Sequence, residues 1–140
     1  MDIIERLLQG NQETGEAQKS YYEVLKKAKE NMDVIFEDCK SQADEERVVF
    51  LDSARQDVDA HFAARAEFIS SVFKAKADEL SLVGSAYIKV EMDKDSRAIE
   101  FVTDLHKKQL AKLKKDEDLF RSDLEHYIAQ MEKIFRRIVR

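Results

Sequence analysis

The residues best suited to chemistry in this chain are three histidines, one cysteine and a run of lysines. His61 follows Asp57 by four positions and His126 follows Asp123 by three, so each carboxylate–imidazole pair shares a helix face. Such pairs are raw material for proton transfer or for metal binding. A di-iron carboxylate bundle, however, needs Glu-x-x-His elements together with further glutamates on facing helices. No Glu-x-x-His occurs in the sequence. The histidines are therefore expected to be solvated or packed, with His106 as a polar register-setting residue near the seam. No metal and no cofactor is expected.

Cys39 is the single cysteine. It falls on an apolar helical track, where a small buried side chain fits better than a nucleophile. A lone cysteine also forms no intramolecular disulfide, which suits a reducing compartment. With three glycines in the whole chain, there is no glycine-rich loop to cradle a phosphate. These residues do not describe an enzyme.

The lysines Lys107, Lys108, Lys112, Lys114 and Lys115 are concentrated in one short stretch. Lys107 and Lys114 share one heptad position, and Lys108 and Lys115 share another, which makes a positive ridge on a helix. A phosphate backbone or an anionic membrane can use such a ridge. Asp116, Glu117 and Asp118 follow at once, and aromatic residues suited to base stacking are missing from the stretch. A solvated face is the expected reading, and anion binding is the alternative. Lys133, Arg136, Arg137 and Arg140 complement the negative end of a helix dipole without needing a ligand. A membrane-surface anchor made with Ile134, Phe135, Ile138 and Val139 is not the expected use of that end.

The elements that carry these residues follow from an absence. The 140 residues contain no proline, and the glycines are Gly10, Gly15 and Gly84. Proline breaks helix interiors and glycine weakens them by about 1 kcal/mol relative to alanine. Charged residues make up 38 % and hydrophobic residues 44 %, the composition of long helices and coiled coils. Residues 1–70 carry 9 basic and 16 acidic side chains (−7), and residues 71–140 carry 15 and 13 (+2). That asymmetry suits antiparallel contact between the halves. The overall charge of −5 argues mildly against a general nucleic-acid binder.

Along the chain, residues 1–15 read as a short helix followed by a flexible linker at 10–15, and residues 16–140 as a helical coiled-coil domain. Tyr21, Leu25, Ala28, Met32, Ile35 and Cys39 step by four and three. The track then moves to Ala43, Phe50, Ala54, Val58, Phe62, Ile69, Phe73 and Leu80, with several pairs 11 apart. Ser41 is a candidate helix cap, but an unbroken helix through residues 41–46 is expected. The chain is expected to reverse at 82–86, beside Gly84, or at 93–96. Leu110, Leu113, Phe120, Leu124, Tyr127, Met131, Ile134 and Ile138 form the cleanest seam, with Glu117 its one polar member. Glu23 with Lys27, and Glu132 with Arg136, are expected i,i+4 ion pairs.

The predicted fold is all-α: an elongated antiparallel helical hairpin or coiled coil assembling into a multi-helix bundle. One long helix in a multi-chain coiled coil and a compact bundle of three to four helices remain open. Val48, Val49, Phe50 and Leu51 are consecutive and cover about 300° of a helix circumference. One antiparallel neighbour cannot bury them all, and Phe50 is the expected intrachain member. With Phe68 they are the expected self-association or partner surface. The expected function is a non-catalytic structural or adaptor protein acting by helix–helix association. The alternative is a nucleic-acid-associated structural protein that uses the ridge at 107–115 to organise filaments. A homo-oligomer or a helical protein partner is expected, and a membrane surface is not. No secretion signal or stretch of about 20 apolar residues appears, so a soluble intracellular protein is expected.

Overall fold

The long stretches free of proline and glycine fold as three helices in the computed structural model, which describes residues 3–93 and 97–140. They are α1 (Ile3–Ser41), α2 (Glu45–Asp93) and α3 (Arg97–Val139). The described residues are 97 % helical and contain no strand. The fold is an all-α helical bundle.

The break between α1 and α2 lies where an unbroken helix was expected, and it uses neither proline nor glycine. Ser41 ends α1, its Oγ donating to the carbonyl of Asp38 at 2.7 Å. The amides of Gln42 and Ala43 donate to the carbonyls of Cys39 and Lys40 at 3.1 and 3.2 Å, which tightens the last turn. Asp44 then caps α2: its Oδ1 accepts from the Arg47 amide at 2.9 Å. The cap is therefore Asp44, and Ser41 closes the helix before it. The hydrogen bond from the Arg47 amide holds the Asp44 carboxyl below its ordinary 3.8, with the Arg47 guanidinium assisting.

Two further expectations about the backbone are corrected. Residues 10–15 are helix within α1, not a linker. Gly10, Thr14 and Ala17 are buried in steps of four and three that run on to Tyr21, so the seam continues through them. A Cβ on Gly10 would stand 3.2 Å from Leu80 Cδ2, so glycine permits close approach of α2 there. Gly84 lies inside α2, so the chain does not reverse at 82–86. The other expected turn, at 93–96, falls largely outside the described residues. Cβ atoms on Gly15 and Gly84 would meet nothing within 4 Å. Gly15→Ala and Gly84→Ala should therefore each stabilise the protein by about 0.5–1 kcal/mol in urea unfolding. A loss of stability at position 84 would argue against helix there.

The chain divides into two compact units, each built from all three helices. The first comprises Met1–Tyr21 and Ile69–Glu117. In it α1 and α2 are antiparallel and α1 and α3 parallel, since Gly10 faces Leu80 while Thr14 and Ser20 face His106 and Glu117. The rings of Tyr21 and Phe73 meet edge to face at 5.5 Å. The Tyr21 hydroxyl donates to the carbonyl of Leu113. Glu117, the polar member of the α3 seam, accepts from Ser20 Oγ at 2.7 Å, which explains how a carboxylate is held there.

The second unit comprises Tyr22–Phe68 and Asp118–Arg140. Phe36 is 1 % exposed and packs edge to face on Phe135 at 5.9 Å. The Arg55 guanidinium lies 4.3 Å from the Phe36 ring centroid, in cation–π contact. Lys29 bridges Asp33 and Asp59 at 2.9 and 2.7 Å. Arg136 bridges Glu132 and Asp38, each at 3.1 Å.

Candidate functional site

The α3 seam is right in its first part and drifts in its second. Leu110, Phe120 and Leu124 are buried, and Leu113, Tyr127, Met131 and Ile138 are half-buried. Ile134 is 44 % exposed, while Ile128 and Phe135 are buried in the core. From Leu124 to Phe135 is 11 residues, the step of a straight helix, whereas the strict heptad carried the expected track one residue short.

The same step corrects the start of α2. Leu51, Phe62 and Phe73 are 11 apart and all buried, as are Val58, Ile69 and Leu80. Leu51, not Phe50, is therefore the intrachain member of the apolar run at 48–51. Val48 is half-buried, and Val49 and Phe50 are 66 % and 64 % exposed. Phe50 lines an open groove of about 560 Å³ together with Arg47, Ala54, Asp57 and Ile138 among others. Phe68 is also exposed.

The histidines occupy three unlike settings. His61 stacks on Tyr127 with 3.7 Å between centroids and 13° between planes. Burial pushes its imidazole below the ordinary 6.5, with neighbouring Arg65 adding to the effect. His126 is exposed and pairs through Nε2 with the side chain of Gln130 at 3.3 Å. His106 is fully buried. The Thr14 hydroxyl donates to the carbonyl of Gly10 at 2.8 Å and lies 3.3 Å from His106 Nε2. His106 Nδ1 lies 3.6 Å from Glu79 Oε2, and Lys76 Nζ approaches the same oxygen at 3.5 Å. Nδ1 and the buried Thr103 Oγ1 have no hydrogen-bond partner among the described residues. Burial outweighs the Glu79 carboxylate and holds the His106 imidazole below its ordinary value.

Among the described residues no three side chains from His, Cys, Asp and Glu gather as a metal-binding set. Cys39 is 0 % exposed, and burial pushes its thiol above the ordinary 9.0, the reverse of what a nucleophile needs. Among the described residues, no helix is long and apolar enough to cross a membrane.

The ridge lysines Lys107, Lys108, Lys112, Lys114 and Lys115 are all exposed. None of them forms an ion pair or hydrogen bond among the described residues. The expected Glu132–Arg136 pair is present, whereas Glu23 and Lys27 do not pair. Sequence reasoning missed Ile128 and Phe135 as core residues and Thr14 as the partner of His106. An 11-residue step was available for the first two, and nothing local marks the third. No known protein family matches the chain, and no curated protein or solved structure shows significant similarity to it.

Proposed function

We propose that this chain is a non-catalytic structural or adaptor protein that works by helix-to-helix association. The observation that carries the reading is the exposure of Phe50 in an open groove, with Val49, its neighbour in the sequence, exposed as well. A large apolar side chain gains about 1.5–3 kcal/mol on full burial, and neighbouring exposed ones mark a contact surface. The groove rim carries both charge signs, Glu46 and Asp57 with Arg47, as contact surfaces between proteins do.

The test is the double substitution Val49→Glu with Phe50→Glu, followed by light scattering and circular dichroism. The wild type should have a mass above that of one chain. The variant should shift to a smaller species while keeping its helix signal, because carboxylates do not enter a dry interface unpaired. A wild type that stays monomeric at high concentration, or a variant with unchanged mass, would count against this surface.

A further inference from the structure

The last turns of α3 gather Lys133, Arg136, Arg137 and Arg140 on one side of the helix, away from the buried Ile128 and Phe135. At about 100° per residue the four lie within roughly 100° of the circumference, and they span about 10.5 Å along the axis. With Ala129 and Glu132 they line an open groove of about 370 Å³. Ala129 is exposed, and its small side chain takes up little of that space.

The charges in the groove do not balance. Its one carboxylate, Glu132, is bridged to Arg136 at 3.1 Å, and Arg136 also reaches Asp38 on α1 at 3.1 Å. Lys133, Arg137 and Arg140 are exposed and form no ion pair or hydrogen bond among the described residues. The negative end of a helix dipole is equivalent to about half a unit charge, so it matches one of these side chains at most. A carboxylate on residue 140 itself would match one more. The groove stays cationic after both, and its neighbouring cations repel one another until an anion joins them.

The residue types select the anion. The planar fork of arginine pairs bidentately with phosphate oxygens, and a lysine beside it adds a point charge. Cations along about 10.5 Å fit a compact group of adjacent phosphates, whereas a duplex backbone runs on beyond them with one charge per about 1.7 Å. Ala129 is the one apolar side chain of the lining, and Phe135 is buried, so the groove has nothing to insert among acyl chains or to stack on a base.

We propose that this groove at the end of α3 binds a compact polyphosphate group, with Arg137 and Arg140 gripping phosphate oxygens and Lys133 adding charge. None of its lining residues lines the groove at Phe50, so this site and the association reading stand or fall separately.

The experiment is calorimetric titration of the protein with sodium tripolyphosphate at low salt. The wild type should bind one tripolyphosphate per chain, about tenfold more weakly at 500 mM salt than at 50 mM. Lys133→Gln with Arg137→Gln should weaken binding by about tenfold or more, since two charge-assisted contacts are lost. Arg137→Lys keeps the charge without the fork and should fall in between. Lys107→Gln with Lys108→Gln removes the same charge from the exposed ridge of the first unit and should leave binding unchanged. These positions are all exposed, so circular dichroism should find every variant folded. A wild type that does not bind overturns the proposal, as does an equal loss in the two double variants, which would mark attraction to net charge alone. So does tighter binding to duplex DNA than to tripolyphosphate that the Lys133/Arg137 variant loses, which would assign the groove to a nucleic-acid backbone. Vesicles containing phosphatidylinositol bisphosphate separate the two sources of such a group. Recruitment that tripolyphosphate competes away identifies a lipid headgroup, and tripolyphosphate binding without recruitment identifies a soluble ligand; each upholds the site.

Discussion

Phe135→Ala should lower the unfolding free energy by about 3–5 kcal/mol, and Ile134→Ala by less than about 1 kcal/mol. Phe135 is 0 % exposed and its ring meets Phe36 edge to face, whereas Ile134 is 44 % exposed. Truncating Phe135 removes that aromatic contact and leaves a cavity that the surrounding helices close only in part. Urea titrations of the two variants give the comparison directly, with the slope of each curve checking that the denatured state is unchanged. A double-mutant cycle with Phe36→Ala should return a coupling of about 0.5–1.5 kcal/mol. Equal losses at positions 134 and 135 would restore the strict heptad and reject the 11-residue step.

Acidification from pH 7 to pH 5 should destabilise the protein, with His106 contributing up to about 1.4 kcal/mol per pH unit. The sign follows from burial. Folding holds the His106 imidazole below 6.5, because an imidazolium there would be desolvated beside Lys76, and the Glu79 and Glu13 carboxylates only partly offset this. Above pH 6.5 neither state is protonated and the stabilisation is complete. As pH falls below 6.5 the unfolded chain takes up a proton that the folded chain refuses, until the depressed folded value is passed. His61 acts in the same direction and window, through burial and Arg65. Asp44 acts lower: its folded carboxyl lies below 3.8, so its contribution is complete above that value and lost beneath it. Urea unfolding at pH 7, 6 and 5 therefore isolates the histidines. His106→Leu should flatten the dependence to the share left by His61. An unchanged slope in that variant would remove His106 from the account.

Much of the architecture was legible because helical periodicity survives without context. The Tyr21–Cys39 steps, the Phe62/Phe73 and Val58/Ile69/Leu80 spacings and the Leu110–Leu124 seam all identify buried or half-buried residues. The errors share one physical origin, which is that a single helix does not reveal its neighbours. Gly10 and Thr14 look like linker residues until Leu80 and His106 stand against them. The break at 42–44 was hidden because an aspartate cap does there what glycine or proline was expected to do. Phe50 and Leu51 are adjacent and both apolar, so only the 11-residue step to Phe62 chooses between them. The exposed ridge on α3 was half visible: its lysines were evident, but that they go unpaired depends on which helix faces which.

The path of the chain through the second unit bears on when that unit can form. Its α1–α2 contacts near the Asp44 cap join residues close in sequence, as Lys29 does with Asp59, 30 positions on. Its α1–α3 contacts join distant ones, as Asp38 does with Arg136, 98 positions on. Closing the longer loop costs more chain entropy, and non-local contacts slow folding. The pair of helices around the cap can therefore zip early, with the side chains that pack on α3, such as Phe36, still open. On the ribosome that half-built unit must wait until Phe135 has been made and threaded clear of the exit tunnel. During that interval Phe36 has no ring to pack against, and the nascent chain is most exposed to chaperones, to proteases and to other chains like itself.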